Sequence, residues 1–111
     1  MAYDEQLADE LRALLEARDT DPTEKRMFGG LAFMVEGNLT IAASRNGGLL
    51  VRTDPDEAAE VNALPGVEAM EMRGRKMPGW VFVDAKALRD ESDLDAWIER
   101  ALDFVATLPP K

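Results

Sequence analysis

Three short apolar runs separated by glycine turns constrain the fold of this chain most strongly. The runs occupy residues 31–36, 39–44 and 49–52, and apolar side chains alternate along each of them. They are too short for surface helices, so each predicts a β-strand. Gly37-Asn38 separates the first two runs, and Asn46-Gly47-Gly48 between the second and third is a strong hairpin signal. The sequence therefore predicts consecutive antiparallel strands at the centre of the chain.

A glycine pair opens the first of these strands, in the segment Met27, Phe28, Gly29, Gly30. Glycine adopts backbone angles that are closed to other residues, so the pair predicts a sharp turn. The pair lacks the glycine spacing of a dinucleotide-binding fingerprint and the Gly-Lys-Ser/Thr ending of a P-loop. A structural turn is the favoured interpretation, and a phosphate cradle is the weaker alternative.

The segments before the glycine pair predict one helix and one turn. Leu7, Leu11, Leu14 and Leu15 recur at helical spacing, which indicates an amphipathic helix over residues 4–18. Pro22 excludes the residue before it from the helical region, so the helix ends there. Residues 23–26 are then expected to form a short turn that leads into the glycine pair.

The second half of the chain predicts two helices and two strands. Asp54 as cap, Pro55 at the first helical position and Glu57 as the acid of a capping box begin a short helix. Strands are expected at residues 67–72 and 80–83, joined by a loop. Ser92, with an acid three residues later, is expected to open a last helix with a wide apolar stripe. The order α-β-β-β-α-β-β-α predicts a single α+β domain over residues 1–111 with an antiparallel sheet.

Composition narrows the function classes. The chain has no Cys and no His, which removes disulfides, thiolate chemistry and the usual general base near neutral pH. We therefore expect no catalysis, no cofactor and no metal site. No apolar run approaches the length of a membrane span, and the acidic N-terminus is unlike a signal peptide, so a cytoplasmic location is expected.

The net charge of −9 is concentrated at the two ends of the chain. Residues 1–24 hold eight acids and two bases, residues 25–86 hold eight of each, and residues 87–111 hold six acids and three bases. Such acidic helices keep a protein soluble. They also argue against direct binding of nucleic acid, because that affinity depends on basic contacts to phosphates.

Several segments, in order and at matching spacing, resemble the N-terminal domain of the TfoX/Sxy family. The matching segments are residues 27–33, the Gly37 turn, and residues 48–52, 73–75, 77–83 and 107–111. The resemblance implies a two-layer α/β sandwich similar to type III secretion chaperones. It also implies a role in regulating natural competence, through cooperation with a transcription activator rather than by catalysis. Those regulators carry a second domain, so we expect a stand-alone N-terminal domain here.

The strongest candidate for a contact site is the basic segment between the last two strands. Residues 73–79 hold three bases and two glycines. The length of this segment is more than a tight hairpin needs. The candidate residues for binding a partner or an anion are Arg52, Arg73, Arg75, Lys76 and Trp80, with Gly79 as a structural residue. In the competing interpretation, Arg73 and Arg75 only neutralise Glu68 and Glu71. Trp80 is also compatible with a core position.

Two function hypotheses remain open. The first is a non-enzymatic regulatory module that binds a protein partner, such as a transcription regulator. The second is a small ligand-binding protein or enzyme that uses the basic loop with Glu68 and Glu71 as acid and base, or as a magnesium site. A flat, exposed, Met-rich face would favour the first hypothesis, and a pocket with converging carboxylates the second. A homodimer is also expected, because one sheet face carries the apolar residues Ala32, Met34, Ala42 and Leu50.

Overall fold

A computed structural model describes residues 5–27, 29–44, 47–72 and 74–109, without the side chains of Met72 and Lys76. Its six strands form one antiparallel sheet in the order β1-β2-β3-β4-β6-β5. The elements in chain order are helix α1 (Glu5–Ala17), strands β1 (Thr23–Met27), β2 (Gly30–Val35), β3 (Asn38–Ala43) and β4 (Leu49–Arg52), a 3₁₀ turn (Pro55–Glu57), helix α2 (Ala58–Asn62), strands β5 (Val67–Met72) and β6 (Arg75–Val83), a 3₁₀ turn (Ala85–Ala87) and helix α3 (Glu91–Val105). The expected α+β class is confirmed.

The helices cover one face of the sheet and form the main core with it. This helix-covered core takes side chains from all three helices and from β2, β3, β4 and β6. Its fully buried larger members are Leu11, Leu15, Phe33, Ile41, Leu49, Val51, Val61, Val81, Val83 and Ile98. The apolar spacing of α1 and α3 places one stripe of each helix against the sheet, as amphipathic helices require. The two-layer arrangement follows from this packing.

On the opposite face of the sheet, the described residues form a smaller apolar cluster made only of strand residues. We call it the strand-only cluster; it comprises Ala32, Ala42, Leu50 and Met70, which are buried, and Met27, Leu39, Met77 and Trp80, which are partly buried. A bulge in β3 contributes, because the β2–β3 register shifts after Phe33 and sets Leu39 opposite Met34. This face was expected to be semi-apolar, and the side chains at its centre are buried.

The prediction of a turn over residues 23–26 is wrong, because these residues form edge strand β1. The strand pairs with β2 from Thr23↔Met34 to Met27↔Gly30. Its first four side chains are exposed and polar, so the segment lacks the alternation that marks a half-buried strand. The strand is instead held by backbone pairing to β2, and the observed element order gains one strand before β2.

The prediction of a loop over residues 73–79 is also wrong for residues 75–79, because β6 begins at Arg75; Gly74 does lie in a turn, and residue 73 is outside the described residues. The surplus residues form a bulge: Ala69 pairs with Val81 but Glu71 pairs with Lys76, so residues 77–80 lie opposite Met70. Gly79 carries a positive φ of 89° at this bulge. A bulge absorbs extra residues without ending the pairing, which explains why the strand could be mistaken for a loop.

Two helix starts differ from the sequence interpretation. Asp90, rather than Ser92, caps α3: its Oδ1 accepts hydrogen bonds from the backbone N–H of Asp93 and from the Ser92 hydroxyl. Asp54 does cap its segment, by accepting from the N–H of Asp56, but Glu57 forms no side-chain cap and contacts Arg100. Within the described ranges, no helix combines the length and the apolar character needed to cross a membrane.

Candidate functional site

The end of strand β4 brings Arg52 beside Trp80 of β6. The two residues are direct partners in the antiparallel register, which runs from Leu49↔Val83 to Arg52↔Trp80. The next residue, Thr53, donates its backbone N–H to the Gly79 carbonyl at 2.7 Å. A Cβ on Gly79 would lie 2.9 Å from the Thr53 carbonyl oxygen, so glycine is required here. The Gly79 bulge therefore fixes where Trp80 stands relative to Arg52.

The guanidinium of Arg52 lies over two aromatic rings. Its Cζ is 4.9 Å from the centre of the Trp80 ring and 5.4 Å from that of Phe104 on α3. Both distances fall within the range of cation–π attraction, and a planar guanidinium is suited to such stacking. We call these three residues the Arg52 cluster. It joins the sheet to the last helix at one end of the molecule.

The charge of Arg52 lacks a carboxylate partner among the described residues. In contrast, Arg12 binds Glu24 with two hydrogen bonds of 2.6 and 2.8 Å, and Arg18 binds Asp95 at 3.1 and 2.9 Å. These contacts raise the pKa of Arg12 and of Arg18. Burial instead lowers the pKa of Arg52, because desolvation disfavours the charged form. Arg52 is thus a half-buried cation supported by rings rather than by an anion.

An acidic depression adjoins the Arg52 cluster, and Phe104 belongs to both. Its lining residues are Asp54, Glu57, Ala96, Glu99, Arg100, Asp103, Phe104 and Thr107. Arg100 is the one base among the described lining residues, and its Nη1 lies 3.4 Å from the Oε1 of Glu57. Three acids of the depression therefore remain without a described salt bridge. Phe104 thus contacts a cation and also lines a depression rich in acids.

The other predicted site residues are not all brought together. Arg75 is exposed near the β5–β6 turn, and no described ion pair joins it to Glu68 or Glu71, which are also exposed. Lys76 is the register partner of Glu71 in the β5–β6 pairing, and its side chain lies outside the description. Arg73 and Phe28 lie outside the described residues. The structure thus joins Arg52 with Trp80 and places Arg75 further along the same strand.

The glycine pair meets two structural requirements. Gly29 has a positive φ of 75°, which favours glycine. A Cβ on Gly30 would lie 2.1 Å from the carbonyl oxygen of Ala43 on the neighbouring strand, a severe clash. Met27, at the end of β1, packs against the strand-only cluster. The backbone turn at Gly29 and the close strand pairing at Gly30 therefore explain why both positions are glycine.

Two features were expected to separate the function hypotheses, and the described residues show neither of them in the form that was expected. The Met-rich face is closed at its centre rather than flat and exposed. Within the described ranges, no group of three or more acidic, His or Cys residues is placed to hold a metal ion. Sequence reasoning missed Phe104 as a site residue, because its helical spacing assigned it to the core stripe. It is only half buried, and only the fold brings it to Arg52.

Comparison with known families gives one match. The family model described as the TfoX N-terminal domain matches residues 13–105, most of the chain. The chain therefore belongs to the TfoX N-terminal domain family. No curated protein matches the chain. The match includes β1 to β6 and all three members of the Arg52 cluster.

Proposed function

From this family membership we propose that the chain is a non-enzymatic regulatory module that acts through contacts with a protein partner. The partner we propose is a transcription regulator, in a role related to competence. The absence of Cys and His from the sequence supports a function without catalysis. The observation that carries the proposal is the Arg52 guanidinium, which lies over two rings and has no described carboxylate partner.

The charge balance of the chain makes this cation unusual. With 22 acids and 13 bases, the chain offers ample carboxylates to neutralise an arginine. The other partly buried arginines of the described residues, Arg12, Arg18 and Arg100, each have such a partner, whereas the arginines without one, apart from Arg52, are exposed. A partly desolvated charge is costly unless it is paired, so an acceptor from another molecule would stabilise Arg52. Arginine and tryptophan are also the residues that most often dominate protein interfaces.

We extend the proposed contact surface along β6 from Trp80 toward the β5–β6 turn. Arg75 is exposed on this strand, and Arg73 and Lys76 flank it in sequence. Arg52 and Trp80 would be central to the contact, and the other three bases would contribute at its rim. Rim charges affect the rate of association more than the affinity.

A genetic experiment tests the regulatory function. The gene is deleted in its native cell, and transcript levels are compared after complementation with wild type, Arg52→Glu or Arg26→Glu. Arg26 is an exposed arginine on the opposite edge strand β1, so its variant controls for charge reversal. We expect wild type and Arg26→Glu to restore the transcript pattern and Arg52→Glu to fail. Unchanged transcripts after deletion would contradict a regulatory role.

Self-association and direct nucleic-acid binding are separate parts of the proposal. We propose a homodimer, since β1 and β5 are sheet edges and Phe82 is an exposed aromatic residue. Sedimentation equilibrium at tens of micromolar should show a species of twice 12.3 kDa; a purely monomeric result would count against it. We also propose that the chain does not bind DNA directly, and sub-micromolar binding in an anisotropy titration at physiological salt would refute this.

A further inference from the structure

We propose that the Arg52 cluster binds a side-chain carboxylate in a partner segment that also carries basic residues. The inference rests on the proposed function and specifies the chemistry of the partner. Two observations carry it: Arg52 has no described hydrogen bond, and acids line the adjoining depression that Phe104 shares with the Arg52 cluster. Each observation selects a different part of the partner segment.

The first observation concerns the hydrogen-bond donors of Arg52. The five N–H groups of a guanidinium lie in its plane, while stacking on aromatic rings uses the flat face. Trp80 and Phe104 both lie within cation–π distance of Cζ, and no hydrogen bond described in the structure uses the Arg52 donors. A carboxylate can accept two parallel hydrogen bonds from such a group. A carboxylate therefore matches the free edge of Arg52.

The second observation concerns the acids of the adjoining depression. Asp54, Glu99 and Asp103 line the depression together with Phe104 and have no described salt bridge. A run of acidic residues or a polyphosphate would be repelled there. A segment with one carboxylate and basic neighbours satisfies both sides, with the carboxylate on Arg52 and the bases toward the depression. Such charge complementarity is typical of specific interfaces.

Two short peptides test the inference directly. Both are lysine-rich and have blocked ends, and they differ only in a central Glu or Gln. Their binding to the purified chain is measured at low salt by fluorescence anisotropy. Lysines alone will attract both peptides to an acidic protein, so the comparison between Glu and Gln isolates the carboxylate. We expect the Glu peptide to bind about threefold to tenfold more tightly.

Matched variants assign that preference to Arg52. Arg26→Met removes a distant exposed charge and should keep the Glu preference, whereas Arg52→Met should abolish it. Arg52→Lys keeps the charge without the planar fork and should reduce the preference. If Arg52→Met does not fold, judged by circular dichroism, Arg52→Lys and an NMR titration of the wild type with acetate, followed at the Trp80 indole N–H, decide the question.

Several outcomes overturn the inference. They are equal binding of the two peptides to wild type, no measurable binding, and a Glu preference that survives in Arg52→Met. An indole shift that acetate and chloride produce equally would do the same. These results leave the proposed function standing if Arg52→Glu still fails to restore transcripts. Conversely, a clear Glu preference with unchanged transcripts after gene deletion would remove the function and keep the site.

Discussion

The two faces of the sheet bury apolar side chains in different ways. On one face, three helices supply aliphatic side chains to the helix-covered core. Leu11 and Ile98 from the helices and Phe33 from strand β2 are fully buried there. On the other, the strand-only cluster reaches 0% exposure at Ala32 and 5% at Ala42 without any helix residue among its members. Small central side chains bordered by longer ones are shielded by their own neighbours. In the part of the chain that the structure describes, the centre of this sheet face is therefore buried without helix residues packed on it.

From this difference we expect the helix-covered face to contribute mainly to stability and the other face to contact a partner. The helix-covered core contains more of the described buried apolar residues than the strand-only cluster, and burial of apolar area is the main favourable term in folding. The strand-only cluster has a rim of adaptable Met side chains and continues through Trp80 to the Arg52 cluster. Methionine packs well in irregular surroundings and suits binding surfaces. We therefore expect mutations on the two faces to differ in their effect on the free energy of unfolding.

The largest expected effect is on the helix-covered face. Phe33→Ala should lower the free energy of unfolding by about 3–5 kcal/mol, because it leaves a cavity under the helices that the core cannot fill. Phe33 is 0% exposed and belongs to the helix-covered core. Urea denaturation followed by circular dichroism measures the change. Phe33→Leu is the control and should lose clearly less. A loss smaller than that of Leu50→Ala on the other face would contradict the expected difference between the faces.

On the strand-only face we expect a smaller loss. Leu50→Ala should cost about 2 kcal/mol, the low end for a buried leucine, since rim side chains such as Met77 can move into the gap. Leu50 is 4% exposed, so the difference from Phe33 does not come from exposure. Leu50→Met, which keeps the volume, should be close to neutral. The same urea titration is used, and a loss as large as that of Phe33→Ala would show that this face is packed just as rigidly.

The smallest effect concerns the ion pair that ties α1 to edge strand β1. The hydrogen bonds from Arg12 lower the pKa of Glu24 in the folded state. Its contribution is therefore present above the unfolded pKa of about 4.3 and is lost as pH falls through the lower folded value. Glu24 is 36% exposed, so Glu24→Gln should cost no more than about 1 kcal/mol at neutral pH. Urea titrations of both proteins at several pH values should show the difference shrinking in acid; a constant difference would contradict the assigned cause.

Much of the fold was already determined by periodicity in the sequence. The leucines of α1, the alternating runs of β2, β3 and β4, and the stripe of α3 each repeat with the spacing of one element. The family resemblance was equally local, since its motifs are short segments in a fixed order, and the family match confirms it. The Gly29-Gly30 turn could be predicted because glycine has distinctive backbone freedom.

Other features were decided only by the tertiary structure. Strand β1 has no apolar alternation of its own and exists through pairing with β2. The bulge of β6 depends on two partner strands, because β4 fixes Trp80 opposite Arg52 while β5 sets a different register at the turn. Phe104 reaches Arg52 only because α3 packs across the sheet. Local pattern reports which face a residue presents, whereas the identity of its neighbours depends on contacts between segments distant in sequence. The Arg52 cluster consists of such contacts, so the chain had to be folded before the site could be recognised.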